Sequence, residues 1–433
     1  MIDNQRTYKY FRYWWLLALA AIGLSALLAI LLILSRTPLL QQWFDLNALF
    51  QTALVLHVDY SVLIWLLAFA ASLWALQIRQ ERHENSLVDS IAFGMSLSGA
   101  VLLILTPLCV SAVPVMSNYI PVLQHPLFFT GLTAFAIGLM LAALRLIFLS
   151  RLNDMGSITL RASAIAFLLA LWVFGISIVQ YRNSENPAHH FEQMFWGGGH
   201  MLQFSYILLL QYGWLKLSNI SENNNRLWLY ASYLLFIPSI VGALIPLFYT
   251  PESDSYRELF TLLMRWGMLL ILLPLILNIN HLDLKNKNVL FALLLLLIGI
   301  VLGALIRADN VMVTAHYHAT NGAITLTFMA FAYQLVEKFN ASYISSVWSL
   351  IQLRLYAAAM LLYVGGMAWS GFLDIPRKSP VHIYGGMEQV AMGLMGLGGL
   401  VAIISTLLFF GICFVATRHT LFSNLSNGQC RES

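Results

Sequence analysis

The chain has 433 residues, of which 60% are hydrophobic and 10% are charged, and its formal net charge is +4. With a mean hydropathy of +0.77, this composition excludes an ordinary soluble globular domain and indicates a polytopic membrane protein surrounded by lipid. We expect no nucleic-acid partner. Cys109, Cys413 and Cys430 are too few and too scattered for a disulfide framework or a zinc site, and no Cys-x-x-Cys-His run could attach a c-type haem.

Apolar segments long enough for a ~30 Å hydrocarbon core recur along the whole chain. Backbone groups in lipid must be satisfied internally, so these segments are predicted to be helices. The polar, basic N-terminus runs into the first of them without a small-residue cleavage site, which predicts a retained span. The predicted fold is all-α: a single transmembrane domain over residues 1–433. Its twelve spans are 14–35, 47–77, 89–113, 127–150, 160–181, 192–217, 227–248, 258–279, 288–306, 313–336, 350–373 and 385–416.

The distribution of basic residues predicts the orientation of these spans. Sixteen of the 23 Lys and Arg residues fall on the side that holds both termini, and the other seven fall on the opposite side. By the positive-inside rule, both termini are therefore expected to be cytoplasmic. The expected location is the bacterial inner membrane.

Span 10 opens with His316-Tyr317-His318, the most informative stretch of the chain. Two residues apart on a helix, the imidazoles of His316 and His318 are separated by roughly 200° and point to opposite flanks. A purely structural interpretation would require a hydrogen-bond partner for each ring inside hydrocarbon, which is costly. The spacing therefore favours a metal centre on each flank of one helix.

Two more histidines lie at a similar depth. At 1.5 Å per residue, His57 in span 2, His200 in span 6 and the pair in span 10 all fall in the outer half of the membrane. Four of the 11 histidines thus converge on one level from three spans. The remaining seven are expected in loops or at helix edges, where solvation is the favoured interpretation: His83, His125, His189, His190, His281, His382 and His419.

Neutral imidazole is the usual axial ligand of haem iron. Two imidazoles on facing helices give a six-coordinate electron-transfer haem, and one imidazole with an open sixth position gives a gas-binding haem. Zinc or a simple copper site is less favoured, because the opposed His316 and His318 could not share one ion. Gly197-Gly198-Gly199 and Gly322 would give clearance for a flat cofactor, although close helix packing explains them comparably well.

Three of these stretches together resemble a known family. Leu56-His57-Val58-Asp59 in span 2, Phe195-Trp196-Gly197-Gly198-Gly199-His200 in span 6 and His316-Tyr317-His318 in span 10 are similar to subunit I of the haem-copper oxidases. The similarity is greatest to the C-type cytochrome c oxidases and the nitric oxide reductases. It covers essentially the whole chain, because that subunit also has twelve helices with cytoplasmic termini.

The resemblance implies two haems, whose type the sequence does not reveal. His57 and His318 would be the axial ligands of a low-spin haem iron, and His316 the proximal ligand of a high-spin haem iron. His200 matches the first histidine of the copper site, or of the non-haem iron site in the reductases. Arg377 and Lys378 stand where the family has basic residues that pair with haem propionates; a solvated loop is the alternative.

The chain departs from the family in span 7. Where the family has two adjacent histidines, the matching stretch places Ile245 and Pro246, and Ser239 stands at the position of the redox tyrosine. His200 is then a lone remnant of the second-metal site, and one imidazole does not hold copper or non-haem iron tightly. His189 and His190 are the candidates for replacing the missing pair.

Three functional hypotheses remain open at this point. The first is a respiratory-chain oxidoreductase that transfers electrons from the low-spin haem to a high-spin haem binding O2, NO or CO. It would need a cytochrome-bearing or quinol-linked donor subunit. The second is a haem protein without turnover, serving electron transfer or gas sensing. The third, a twelve-helix transporter, predicts matching Gly/Pro-broken helices in two symmetric halves, which the sequence lacks.

Overall fold

The computed structural model describes residues 8–35, 46–80, 87–181, 186–220, 226–279, 282–307, 309–340, 344–377 and 385–429. Most of these residues are helical. The helices are α1 (Lys9–Ser35), α2 (Asn47–Val58, Asp59–Ile64 and Trp65–Gln80 in succession), α3 (Leu87–Cys109), α4 (Pro126–Leu149), α5 (Met155–Gln180), α6 (Pro187–Leu217), α7 (Arg226–Leu244), α8 (Asp254–Asn278), α9 (Lys287–Ala304), α10 (Val311–Asn340), α11 (Ser346–Phe372) and α12 (Gly386–Gln429).

Long apolar helices make the chain an integral membrane protein of the all-α class, as the composition predicts. Within the described residues, nine helices are long and apolar enough to cross a membrane. The helices α6, α8 and α10 are not among those nine. The number of twelve spans therefore stays a prediction.

The chain divides into two compact units. Unit 1 comprises Met1–Leu215 and Asn219–Leu282, and unit 2 comprises Lys216–Ser218 and Asp283–Ser433. Unit 1 holds α1 to α8 except the last two residues of α6, and unit 2 holds α9 to α12. The single transmembrane domain that the sequence predicts is not tested by this division and stays a prediction.

In unit 1, small residues bring α3 and α4 close together. A β-carbon added to Gly99 would lie 2.5 Å from the carbonyl oxygen of Gly131, and one on Gly138 would lie 2.3 Å from the carbonyl oxygen of Ala92. Ser96 donates across the same contact to the carbonyl of Phe135 at 3.0 Å. Close backbone approach with polar cross-links is the usual way in which helices associate in lipid.

In unit 2, glycines bring α11 and α12 close together in the same way. A β-carbon on Gly366 would lie 2.4 Å from the backbone nitrogen of Met395, and one on Gly398 would lie 2.4 Å from that of Tyr363. The fully buried Gln352 accepts from the Tyr333 hydroxyl at 2.9 Å and donates to Ser405 at 3.1 Å. These bonds join α10, α11 and α12.

A short antiparallel hairpin interrupts the helical pattern between α3 and α4. Its strands are β1 (Val113–Val115) and β2 (Val122–Gln124). The predicted third span ran to residue 113, whereas α3 ends at Cys109. The residues that follow pair with β2 instead of extending the helix.

The start of α6 also differs from the prediction. The helix begins at Pro187 instead of residue 192, so His189 and His190 lie in its first turn and not in a loop. Asn186 accepts hydrogen bonds from the backbone nitrogens of Ala188 at 3.0 Å and His189 at 3.4 Å. An asparagine cap followed by proline at the first helical position favours this earlier start.

Candidate functional site

His57 lies at the end of the first segment of α2, facing α1. Its Nδ1 is 2.9 Å from the carbonyl oxygen of Ser25, and the Ser25 hydroxyl is 3.1 Å from the same nitrogen. Because a carbonyl oxygen only accepts hydrogen bonds, Nδ1 carries the proton and Nε2 keeps its lone pair. Within the described residues, Nε2 of His57 has no hydrogen-bond partner. The ring is therefore oriented and available as a ligand.

Directly after His57, α2 widens into a π-helical turn, Asp59–Ile64. Wide turns of this kind release backbone carbonyls from the helical pattern and occur often at functional sites. The hydroxyl of Ser61 donates to Val58 at 3.2 Å and that of Tyr206 to Val62 at 2.9 Å. The turn is thus held open by side chains.

Asp59, the first residue of that turn, is 1% exposed, and its Oδ2 has no partner among the described residues. Two residues after His57, it points to the opposite side of the helix, away from any group that His57 would bind. An intramembrane carboxylate could pair with a cation of the same chain such as Arg265, but the two form no ion pair in the described part of unit 1. Arg265 instead borders an exposed cavity of about 370 Å³ on α8, together with Arg257 and Glu258.

His316 in unit 2 repeats the arrangement of His57. Its Nδ1 lies 2.7 Å from the carbonyl oxygen of Gly299 on α9, so this nitrogen also carries the proton. A β-carbon on Gly303 would lie 2.7 Å from Nδ1 and 2.8 Å from Cε1 of His316. Only a residue without a side chain at position 303 admits the ring. No described residue pairs with Nε2 of His316.

His318 takes its backbone partner from its own helix. Its Nδ1 lies 2.9 Å from the carbonyl oxygen of Thr314, one turn earlier in α10. The ring contacts Tyr363 of α11 edge-on at a centroid distance of 5.1 Å and lies 4.9 Å from the ring of Tyr317. Its orientation therefore depends on how α10 and α11 pack.

His200 has both of its ring nitrogens occupied. It is 6% exposed, its Nδ1 lies 2.7 Å from the carbonyl oxygen of Trp196, and its Nε2 lies 2.9 Å from the hydroxyl of Tyr119. The carbonyl fixes the proton on Nδ1, so the Tyr119 hydroxyl donates to Nε2. Tyr119 comes from the turn between β1 and β2. A metal ion at Nε2 would have to displace this tyrosine.

Aromatic side chains of the protein occupy the space beside the glycine triplet that precedes His200. A β-carbon would lie 2.1 Å from the hydroxyl oxygen of Tyr256 if added to Gly197, 2.4 Å from the ring of Phe174 if added to Gly198, and 2.2 Å from the ring of Tyr119 if added to Gly199. Of the two interpretations that the sequence allows, close packing accounts for this triplet.

The ligands of a second metal do not come together. Among the residues that the structure describes, no three His, Cys, Asp or Glu side chains form a group that could hold a metal ion. Ile245 and Pro246 lie in a 3-10 turn at the end of α7, and the Ser239 hydroxyl is buried without a hydrogen-bond partner in the described chain.

His189 and His190 do not take the place of the missing pair. Both lie in the first turn of α6, where the Gln193 side-chain amide donates to Nε2 of His189 at 3.3 Å. The ring of His190 packs 4.8 Å from that of Tyr181. Partial burial lowers the pKa of His190, which favours the neutral imidazole.

Of the two predicted propionate-pairing residues, Arg377 is described and Lys378 lies outside the described residues. The Arg377 side chain is 8% exposed and pairs with Asp309, whose side chain is 74% exposed. Its Nε has no hydrogen-bond partner in the described part of the chain. A buried guanidinium with an unused donor is a suitable partner for a carboxylate.

The chain has relatives in two bacteria. It is 27% identical to an uncharacterized protein of Rickettsia prowazekii (strain Madrid E), over 92% of this chain and 94% of that protein. It is 28% identical to an uncharacterized protein of Aquifex aeolicus (strain VF5), over 73% of this chain and 83% of that protein. No family model matches the sequence.

Proposed function

We propose that this chain is a membrane haem protein similar to subunit I of the haem-copper oxidases. His57 and His318 would ligate a low-spin haem, and His316 would ligate a high-spin haem that binds a small gas such as O2, NO or CO. Electrons would pass from the first haem to the second. A second candidate, a haem protein that transfers electrons or senses gas without turnover, is favoured by the hydrogen bond that occupies His200.

The observation that carries this proposal is the hydrogen-bonding pattern that the imidazoles of His57 and His316 have in common. Each imidazole donates a hydrogen bond from Nδ1 to a backbone carbonyl of a neighbouring helix, that of Ser25 for His57 and that of Gly299 for His316. A backbone carbonyl is a common outer partner of a metal-ligating histidine, because it fixes both the tautomer and the ring orientation. His318 has the same protonated Nδ1 through Thr314.

Haem fits these residues better than a second metal does. A free imidazole nitrogen, a ring held against Gly303 and a buried arginine after α11, paired with Asp309 before α10, are what an iron porphyrin with propionates would need. Copper or non-haem iron does not fit His200, whose Nε2 accepts from Tyr119. We therefore derive no step through a second metal.

Each residue has a defined task in this proposal. The bound haems would supply reversible one-electron chemistry and an open coordination position for gas. The carbonyls of Ser25 and Gly299 fix the Nδ1–H tautomer and the orientation of the imidazoles of His57 and His316, and Arg377 would offset the negative charge of a carboxylate. The apolar helices around them exclude water.

The membrane arrangement belongs to the same proposal. We infer twelve spans with both termini in the cytoplasm of a bacterium, so that the proposed ligands lie in the outer half of the inner membrane. The chain has no c-type attachment motif. Electrons would therefore come from a separate cytochrome-bearing or quinol-linked partner.

The test is a reduced-minus-oxidised spectrum and a CO-difference spectrum of the purified protein, with iron and copper counted. We expect about two haem irons per chain, substoichiometric copper and a CO-sensitive fraction. A protein without a Soret band would contradict the proposal and favour a transporter. CO binding without reduction of O2 or NO by the fully assembled complex would favour the second candidate. One tightly bound copper per chain would show that the protein does hold a second metal.

A further inference from the structure

Asn310 joins the outer ends of two helices in unit 2. It is 8% exposed and directly precedes α10. Its Oδ1 accepts from the backbone nitrogen of Met312 at 2.9 Å, and its Nδ2 donates to the Gly371 carbonyl at 3.1 Å and to Asp374 Oδ1 at 2.9 Å. One side chain thus caps α10 and binds the end of α11.

The backbone around Asn310 strengthens this junction. The nitrogen of Val311 donates to the Ile375 carbonyl at 3.1 Å, and Asn310 forms an antiparallel bridge with Pro376. A β-carbon on Gly371 would lie 2.7 Å from the backbone nitrogen of Met312. We call residues 309–312 and 371–377 the outer clamp.

Two features of the outer clamp connect it with the proposed site. Asp374 has a φ of 54°, a left-handed conformation that costs energy in a residue other than glycine. Its side chain accepts a hydrogen bond from the Asn310 amide. Asp309, next to Asn310, forms the ion pair with Arg377. The first imidazole of α10, that of His316, follows Asn310 by six residues.

We infer that Asn310 is a positioning residue, which sets the placement of α10 against α11 and thereby the orientation of the His318 imidazole. This inference rests on the proposed haem function. The physical link is the contact between His318 on α10 and Tyr363 on α11. A shift of one helix end along the other would turn the His318 ring, and residues that orient metal ligands in this way affect affinity and spectra.

Asparagine is the residue that the outer clamp requires. Serine at position 310 would keep an acceptor for the Met312 nitrogen but lose both donated bonds. Aspartate would also keep the acceptor, but it would place a carboxylate against Asp374 and the Gly371 carbonyl. The pair Asn310→Ser and Asn310→Asp therefore separates bridging from capping, because both variants still cap α10.

The experiment uses the full-length protein in lipid nanodiscs. The variants are Asn310→Ala, Asn310→Ser and Asn310→Asp, with Asn286→Ala as the matched control. Asn286 caps α9 by accepting from the Asn288 nitrogen at 3.1 Å, at the opposite end of the α9–α10 pair. The measurements are the electron paramagnetic resonance of the low-spin haem, haem transfer to apomyoglobin, and hydrogen exchange of the Val311 and Met312 amides.

We expect all three Asn310 variants to shift the low-spin signal and to lose haem about 10-fold faster. Asn310→Asp should change most, and Asn286→Ala should match the wild type. Exchange at Val311 should accelerate in all three variants, and exchange at Met312 most in Asn310→Ala. A haem-loaded Asn310→Ser or Asn310→Asp with wild-type spectrum and haem release would overturn the inference. A wild-type chain without haem would contradict the proposed function instead, and amide exchange would then decide whether Asn310 holds the outer clamp.

Discussion

His316 in unit 2 and His200 in unit 1 have the same kind of hydrogen bond at Nδ1 but differ at Nε2, which has a partner among the described residues only in His200. Each donates a hydrogen bond from Nδ1 to a backbone carbonyl, and each lies beside glycine. At His316, the glycine is Gly303 and the imidazole itself occupies the space. At His200, the glycines admit other aromatic rings, and the hydroxyl of Tyr119 occupies Nε2. This difference at Nε2 is why we propose His316, and not His200, as a ligand.

The largest difference between the two residues is expected when each imidazole is removed in turn. We expect His316→Ala to abolish CO binding while the low-spin haem is retained, because only the high-spin iron loses its ligand. His200→Ala should leave both haem signals in place. The measurement is a CO-difference spectrum of each variant at matched haem content. Loss of CO binding in His200→Ala alone would reverse the two assignments.

Removing a ligand of the other haem should give the complementary result. His57→Ala or His318→Ala should eliminate the low-spin signal and spare CO binding, because a bis-histidine iron cannot stay six-coordinate with one imidazole. Low-temperature spectra of the reduced protein measure this loss. The assignment fails if either variant loses only CO binding.

A smaller change should result from crowding the His316 ring without removing it. Gly303→Ala places a methyl group at 2.7 Å from Nδ1 and should weaken the bond to the Gly299 carbonyl. We expect CO affinity or haem retention to fall about 10-fold, as for other losses of an outer partner. Gly365→Ala is the control, since a β-carbon there would meet nothing within 4 Å. Equal behaviour of the two variants would show that the ring is not seated on Gly303.

The smallest effect is expected at the Tyr119–His200 pair. Tyr119→Phe keeps the ring on Gly199 and removes one buried hydrogen bond, which should cost about 1 kcal/mol of stability. Both haem spectra should be unchanged, and copper should stay substoichiometric, because one released imidazole is still a single ligand. Thermal denaturation and metal counting check this expectation. Stoichiometric copper in the variant would mean that Tyr119 alone excludes the metal.

Local patterns were sufficient for much of the fold. Runs of apolar residues predicted the all-α membrane class, and the spacing of His316 and His318 placed two imidazoles on opposite flanks of one helix. The Asn310 cap was readable in principle as an asparagine before a helix. Its bonds to Gly371 and Asp374 were not, because they join residues more than sixty positions apart.

The partner of His200 was missed for the same physical reason. Tyr119 lies 81 positions away in a hairpin that a helical hydropathy window merges with the preceding span. The signal that could have revealed it is the short run Val113-Pro114-Val115, followed by Ser117 and Asn118 and then by Val122-Leu123. Such a pattern of β-branched residues around turn formers predicts a hairpin, but not which side chain it inserts.

The wide turn after His57 has a further consequence for α2. One additional residue in a turn rotates everything beyond it by roughly 100°. Trp65 and Phe69, both fully buried, therefore lie about 100° around the helix from where an unbroken continuation of the His57 segment would place them. Each residue of 64–74 is 1% exposed or less, so the protein surrounds this segment on all sides. Deleting one residue from the turn would exchange the packing partners of the whole segment and leave the imidazole where it is.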